Sequence, residues 1–158
     1  MTRGPIQFDV CVSYGLPRAG LPASVSFKRW AGAAAWGRIR RADLAIRIVD
    51  VKEGRSLNRH YRGKDYATNV LSFPAELPEG VSANIPLLGD LVICAPVVAK
   101  EAKEQGKSLA AHYAHLTIHG VLHLLGLNHE DKREAEAMEQ IERDLLAKMG
   151  FPDPYAEG

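Results

Sequence analysis

One stretch near the end of the chain, HGVLHLLGLNHE, constrains the fold more than any other segment. It contains His119, His123 and His129, and Gly126 lies between the second and the third histidine. A spacing of four residues puts His119 and His123 on one face of a helix, one turn apart, where both imidazoles can reach one ion. Gly126 can adopt the left-handed conformation of a helix end, so that the chain turns and brings His129 back. The segment therefore predicts a helix that ends at a metal site.

The number of histidines indicates the kind of metal site. Three imidazoles leave one tetrahedral position open on zinc, as in catalytic rather than structural sites, although imidazole also suits nickel, copper or iron. His112 and His115 precede the motif on the same helical face, so His115 with His119 is a rival ligand pair. We rank this pair second, because His115 lies a turn deeper in the helix, away from the break that delivers the third ligand. A supporting or groove-lining role for His115 and a purely structural one both stay open.

The residue after the first histidine is Gly120, where zinc proteases of the H-E-x-x-H type carry the glutamate that acts as general base. Glycine inside a helix costs about 1 kcal/mol relative to alanine. We therefore expect either close approach of another segment or of a substrate at Gly120, or a role in packing alone. Hydrolysis does not require that glutamate, because a bound ion itself lowers the pKa of its water to about 7.

Length and composition predict one ordinary domain. The chain has 158 residues, of which 46% are apolar and 25% are charged. The longest apolar stretch, residues 91–99, is too short to span a bilayer, and the start of the chain has no apolar core of a signal peptide. We expect a soluble cytoplasmic protein in which Cys11 and Cys94 are reduced, buried thiols.

The net charge of +1 hides an asymmetry along the chain. Residues 1–64 carry 13 Lys and Arg against 4 Asp and Glu, whereas residues 65–158 carry 7 against 15. Two oppositely charged surfaces that aid folding would explain this, and so would a polyanionic partner. Beside a hydrolytic metal site, we interpret the basic part as a nucleic-acid surface. It includes Arg59, Arg62 and Lys64, which could bind phosphate or form a solvated face, and Asp65 could pair with Arg62.

Residue patterns predict an α+β domain. Strands are predicted over residues 7–13, 44–49, 69–73 and 88–94. Helices are predicted over residues 22–39, 52–61, 96–105, 108–125 and 130–149, with a loop over 76–87. Because strands come early and helices dominate late, we expect a single domain over residues 1–151, with a small mixed sheet packed with helices and the histidine-bearing helix at a metal cleft. Residues 152–158 are expected to form a frayed tail.

The motifs together resemble a known family. The run HGxLHLLGxNH, residues 119–129, resembles the signature of the YbeY endoribonucleases, the bacterial rRNA maturation factors. The run LNRHYRGKDYATNVLSFP, residues 57–74, resembles the second block of that family, and Leu88-Gly89-Asp90 resembles a third. The resemblance covers residues 50–150, and the first third of the chain matches only in general layout.

The resemblance implies both a fold and a function. The fold would be a single α+β domain with a metal, usually taken as zinc, in a cleft. The function would be single-strand-specific RNA cleavage in 16S rRNA 3′-end maturation and ribosome quality control, with ribosomal particles as partners and ribosomal proteins or a GTPase as candidate protein partners. The resemblance carries over His119, His123 and His129 as metal ligands and Arg62 as the catalytic or RNA-contacting arginine.

The chain departs from this pattern at two positions, because it has Asn128 and Asn69 where the family usually has aspartate. An amide at Asn128 can still orient the imidazole of His129, or it can simply favour a turn, but it supplies no negative charge. The first change is therefore expected to weaken metal affinity. The second is expected to change only a local turn.

The leading hypothesis is metal-dependent hydrolysis of an RNA phosphodiester. The ion would polarise a phosphoryl oxygen or present hydroxide, and Arg62 would stabilise the negative charge of the transition state. Two alternatives stay open. One is a metalloprotease, which shares the ligand spacing but would need glutamate in place of Gly120. The other is a non-catalytic ribosome-associated factor whose ion is structural, with His115 as a fourth ligand.

Overall fold

A four-stranded mixed sheet forms the framework of the computed structural model, which describes residues 7–39, 41–75, 87–127 and 130–156. Its strands are β1 (Gln7–Tyr14), β2 (Arg41–Val49), β3 (Val70–Pro74) and β4 (Leu87–Cys94). Their order across the sheet is β1-β2-β4-β3. The first three in that order are parallel, whereas β3 runs antiparallel to β4 at one edge. The helices within the described ranges are α1 (Ser24–Ala35), α2 (Val51–Arg62), α3 (Ala95–Gln105), α4 (Leu109–Leu124) and α5 (Lys132–Lys148).

The predicted α+β class and the mixed sheet are confirmed, with one helix shorter than expected. The segment 22–39 is helical only from Ser24 to Ala35, because Trp36 leaves the helical conformation and Gly37 has a positive φ of 75°. The strand that follows begins at Arg41 rather than at residue 44. Of the predicted loop 76–87, residues 76–86 lie outside the described residues, and Leu87 belongs to β4.

The core lies between one face of the sheet and the helices α1 and α4. Side chains of β2 alternate between exposed and buried up to Ile46, and Leu44, Ile46 and Ile48 join the same apolar cluster as Phe27 of α1 and Ile118 of α4. Each fully buried side chain of this size stabilises the fold by roughly 1.5–3 kcal/mol. The opposite face of β1 and β2 exposes alternate residues, which places Cys11 on the surface and corrects the expectation that it is buried. Cys94 is buried as expected, and both thiols are free.

Helix α4 is the element that carries the histidines, and its position is fixed at both ends and in the middle. Ser108 caps its start by accepting a hydrogen bond from the backbone N–H of Ala111 at 3.1 Å. Gly126, with a φ of 101°, follows its end, as the motif predicts. In the middle, a Cβ added to Gly120 would lie 2.7 Å from Cδ2 of Leu91 on β4. The close approach expected at Gly120 is therefore that of the sheet.

The segment after α5 is not frayed over its described residues. Asp153 accepts hydrogen bonds from Nε of Arg143 at 3.2 Å and from the backbone N–H of Tyr155 at 2.8 Å. The hydroxyl of Tyr155 donates to the carboxylate of Glu142 on α5. Residues 152–156 therefore return to α5, and the expectation of a loose tail is wrong for them.

Among the helices of the described ranges, none has the length and apolar character that crossing a bilayer requires.

Candidate active-site cleft

One cleft of ≈ 640 Å³ brings together residues from the motifs that are distant in sequence. Its walls come from the end of α2, from the start of β3 and from α4. Arg62 and Asn69 line one side, and His115, His119 and His123 line the other. Two of the three predicted metal ligands therefore share a cavity with the predicted arginine. The third ligand, His129, and its neighbour Asn128 lie outside the described residues.

Arg62 reaches the cleft because it is the last residue of α2. Gly63 then adopts the left-handed conformation, with a φ of 70°, and closes the helix by donating its N–H to the carbonyl of Arg59. The turn returns Asp65 toward the preceding helical turns, where it accepts hydrogen bonds from Arg55 at 2.8 and 3.0 Å and lies 4.0 Å from Arg59. The pairing of Asp65 with Arg62 is therefore wrong, and the ion pairs among the described residues do not include Arg62.

The imidazole of His119 is oriented by a carboxylate from α5. Its Nδ1 lies 2.9 Å from Oε2 of Glu142, whose side chain is 0% exposed. An ionised carboxylate can only accept hydrogen bonds, so Nδ1 of His119 carries the proton. In the neutral ring the lone pair is then on Nε2. A carboxylate behind an imidazole is the usual way in which proteins fix the tautomer of a metal-binding histidine.

His115 contacts the same carboxylate through its other nitrogen. Its Nε2 lies 2.6 Å from Oε1 of Glu142 and 3.0 Å from the hydroxyl oxygen of Tyr155, which donates to the same Oε1. The remaining nitrogen of His115, Nδ1, is buried and has no hydrogen-bond partner within the described part of the chain. His115 therefore both lines the cleft and supports Glu142, and its lone pair is not directed to solvent.

The donors around Glu142 also control its charge. Burial by itself raises the pKa of Glu142. The hydrogen bonds from His115, His119 and Tyr155 together outweigh this effect and lower the pKa to about 2. Burial and the adjacent carboxylate raise the pKa of the Tyr155 phenol far above its usual range. Near neutral pH, the carboxylate is therefore ionised and the phenol keeps the proton that it donates.

Sequence reasoning missed Glu142 and Tyr155. For the first of them the sequence holds a partial signal, because Glu142 lies four residues from both Met138 and Leu146, and the structure buries all three. A charged residue within a buried stripe indicates a buried partner. For Tyr155 the sequence contained no such signal, because its position depends on the return of the chain after α5.

Asn69 links the cleft to a second carboxylate. Its Nδ2 donates to Oε1 of Glu101 on α3 at 3.0 Å, and its Oδ1 accepts from the backbone N–H of Val70 at 2.6 Å. Glu101 also accepts from Nε2 of His112 on α4 at 2.9 Å. Asn69 therefore does more than shape a local turn, since an aspartate here would place a second carboxylate against Glu101.

The described residues fit part of a metal site. Within the described ranges, no three His, Cys, Asp or Glu side chains converge on one point. His119 and His123 nevertheless offer two imidazoles one turn apart, and the carboxylate behind His119 gives it the tautomer that a divalent ion requires. This donor set fits a zinc-type ion, with His129 as the remaining candidate ligand.

Comparisons with known proteins agree on one family. A family model described as Endoribonuclease YbeY matches residues 30–150. The chain is 75% identical to the endoribonuclease YbeY of Stenotrophomonas maltophilia strain K279a, over 99% of this chain and 98% of that protein. It is 74% identical to the endoribonuclease YbeY of Xanthomonas axonopodis pv. citri strain 306, with the same coverage. The solution structure of TM1509 from Thermotoga maritima matches with a TM-score of 0.58 and 22% identity, over 94% of this chain and 99% of that one, which supports the fold alone.

Proposed function

The chain belongs to the endoribonuclease YbeY family, and from that premise we propose that it cleaves single-stranded RNA as a metal-dependent endoribonuclease. The observation that carries the proposal is the hydrogen bond from His119 to the buried carboxylate of Glu142, in a cleft that also contains His123 and Arg62. The cleft thus combines an imidazole prepared for a metal with a cation suited to phosphate. Metal-assisted hydrolysis of a phosphodiester draws on both.

We propose that His119, His123 and His129 hold one ion, and that this ion is zinc. When bound, such an ion supplies a Lewis acid that stabilises negative charge on a phosphoryl oxygen. Glu142 keeps His119 in the tautomer whose Nε2 can bind a metal. His115 and Tyr155 in turn keep Glu142 ionised and in place through their hydrogen bonds.

Arg62 is the residue that we assign to the substrate. Its planar guanidinium can donate two parallel hydrogen bonds to phosphate oxygens and stabilise the additional negative charge of the transition state. Its position favours this role, because it lines the cleft and the neighbouring carboxylate of Asp65 is held by Arg55 and Arg59. The basic residues 1–64 would add salt-sensitive binding of the RNA backbone.

The two alternatives are less well supported by the geometry. A protease-type glutamate at Gly120 would require Leu91 to shift, because a Cβ there would lie 2.7 Å from Cδ2 of that buried side chain. A structural ion with His115 as fourth ligand would need a nitrogen that is available to it. Nε2 of His115 is hydrogen-bonded to Glu142, and its Nδ1 is buried.

In the cell, we propose that the substrate is rRNA in ribosomal particles and that the reaction serves 16S rRNA 3′-end maturation and ribosome quality control in the cytoplasm. Ribosomal proteins or a GTPase are the protein partners that we propose. The family resemblance of the motifs and the basic character of residues 1–64 support this assignment.

The test is cleavage of a labelled single-stranded rRNA fragment by the purified protein, combined with metal analysis. We expect close to one zinc per chain in the wild type and loss of both zinc and cleavage in His119→Ala. Arg62→Ala should keep the metal but cleave about 10²–10³-fold more slowly, because it removes a donor that acts on the transition state.

Arg59→Ala is the matched control, because Arg59 lies on the same turn of α2 but pairs with Asp65 and does not line the cleft. Its rate should stay within a few-fold of the wild-type rate. Equal cleavage by the wild type, His119→Ala and Arg62→Ala would mean that a contaminating nuclease causes the activity, and the proposal would be lost.

A further inference from the structure

A second depression lies beside the cleft and shares two aromatic side chains with it. This depression has a volume of ≈ 390 Å³, and Tyr61 and Phe73 line both it and the cleft. Resting on the proposed function, we propose that the depression is a subsite for one unpaired nucleobase of the RNA strand whose phosphodiester lies in the cleft. We call it the base subsite.

Tyr61 has the properties of a stacking platform. It is 62% exposed, yet its ring is held by Phe73, at 5.1 Å between centroids, and by His60, at 4.6 Å in an edge-on contact. These contacts restrict the ring before any ligand binds, so little conformational freedom is lost when a base stacks on it. Stacking on an aromatic side chain accepts any base, because every base has a π-face.

The lining of the base subsite suits a base better than a phosphate. Leu57 and Val92 give it an apolar floor. Its charged residues include Asp90 and the Arg47–Glu53 ion pair, joined at 2.5 Å. Carboxylates repel a phosphate but accept hydrogen bonds from the amino groups of bases, and the charge of Arg47 is already balanced by Glu53.

The order of residues on α2 connects the two sites. Tyr61 is followed directly by Arg62, which lines the cleft but not the base subsite. A phosphate at Arg62 and a base at Tyr61 therefore belong to neighbouring parts of one nucleotide chain. A base can enter the subsite only if it is unpaired and unstacked, which costs a few kcal/mol in a duplex and far less in a single strand. The base subsite thus accounts for discrimination between single-stranded and double-stranded RNA.

The experiment compares intact single-stranded RNA with the same RNA in which one base at a time is replaced by an abasic site. Cleavage is followed by initial rates at low substrate concentration, and binding by the fluorescence of a 2-aminopurine placed in the strand, read on rapid mixing before cleavage. For the wild type, we expect one position at which the abasic RNA binds about tenfold more weakly and at which 2-aminopurine is quenched.

Three variants test the assignment. Tyr61→Leu should remove both the quenching and the preference for the intact RNA, whereas Tyr61→Phe should keep them, because the ring remains. Ala45→Phe leaves Tyr61 in place but fills the base subsite, which Ala45 lines, and should also remove the preference. Tyr66→Leu is the matched control, because Tyr66 is 57% exposed and lines neither depression.

The outcomes separate this inference from the proposed function. If Tyr61→Leu and Ala45→Phe discriminate between intact and abasic RNA as the wild type does, the base subsite is wrong, even while His119→Ala still abolishes cleavage. If purified wild-type protein does not cleave RNA, the proposed function fails, and the binding measurement still decides whether Tyr61 stacks on a base.

Discussion

Two carboxylates, one from α3 and one from α5, form hydrogen bonds with histidines of α4. They engage different ring nitrogens, and the two histidines differ in their exposure. From α3, Glu101 engages Nε2 of His112, whose side chain is 4% exposed and whose Nδ1 has no hydrogen-bond partner in the described part of the chain. From α5, Glu142 engages Nδ1 of His119, whose side chain is 27% exposed and lines the cleft. The first pair joins α3 to α4 through a buried histidine. The second pair orients a ring that also faces an open cavity.

The comparison teaches that a carboxylate–histidine contact alone does not identify a functional histidine. What matters is which nitrogen the carboxylate engages and whether the ring reaches a cavity. We refer to Glu101, His112 and Asn69 as the Glu101 network, and to Glu142, His115, His119 and Tyr155 as the Glu142 network. We expect the Glu101 network to serve stability and the Glu142 network to serve the proposed metal site.

The largest effect is expected for Glu142→Gln. Glutamine keeps the shape of the side chain, but its amide nitrogen cannot accept a hydrogen bond, so either His115 or His119 loses its acceptor. Loss of such support typically weakens metal binding about 10–100-fold. Zinc affinity measured against a competing chelator should fall by this amount.

Tyr155→Phe is the companion variant, because it removes one donor and leaves the carboxylate. It should cost about 1 kcal/mol of unfolding free energy, with little change in zinc affinity. Zinc affinity that is unchanged in Glu142→Gln would show that the Glu142 network, like the Glu101 network, only supports the fold.

A smaller effect, on stability, is expected for Asn69→Asp. The substitution replaces the donor to Glu101 by a second carboxylate, so the free energy of unfolding should fall by roughly 1–3 kcal/mol. Adding Glu101→Gln should recover part of this loss, which urea denaturation of both single variants and the double variant can measure. If Asn69→Asp lowers the free energy of unfolding equally in the wild-type and the Glu101→Gln background, Asn69 acts through something other than this network.

The smallest effect concerns pH. Burial lowers the pKa of His112, and the nearby Lys107 and His115 act in the same direction, although Glu101 raises it. As the pH falls, His112 is therefore protonated in the unfolded state before it is protonated in the folded state. Its contribution to the free energy of unfolding is complete above about pH 6.5 and declines below that pH.

The measurement compares wild type with His112→Gln, which can still donate to Glu101 but does not titrate. The difference in unfolding free energy between them should shrink from pH 8 to pH 5, by at most about 1.4 kcal/mol per pH unit. A difference that stays constant over this range would mean that His112 does not change its protonation state on unfolding.

The parts of the site that the sequence predicts are those set by local spacing. The four-residue interval between His119 and His123 places them on one face of the helix, and Gly126 ends that helix. Both features depend only on helix geometry, so the sequence is enough to predict them. Arg62 was assigned through the family resemblance, and the structure places it in the same cleft.

The parts that the sequence does not predict depend on how distant segments meet. Glu142 is 23 residues from His119, and Tyr155 is 40 residues from His115. Periodicity shows which face of α5 is buried, but not which of its residues lies opposite which turn of α4. Asp65 illustrates the same point on a shorter scale, because the left-handed turn at Gly63 returns it to Arg55 rather than to Arg62.

The contact between Gly120 and Leu91 also limits how such an enzyme can evolve. One residue, Gly120, separates this segment from the H-E-x-x-H motif, so the protease motif is close to this chain in sequence. It is structurally distant, because a side chain at position 120 would enter the sheet unless Leu91 moved or became smaller. Glutamate at position 120 would therefore need Leu91 to give way, either by a shift of its side chain within the core or by a second mutation in β4. The packing of α4 against β4 therefore opposes a change to the protease motif while the spacing of the histidines stays the same.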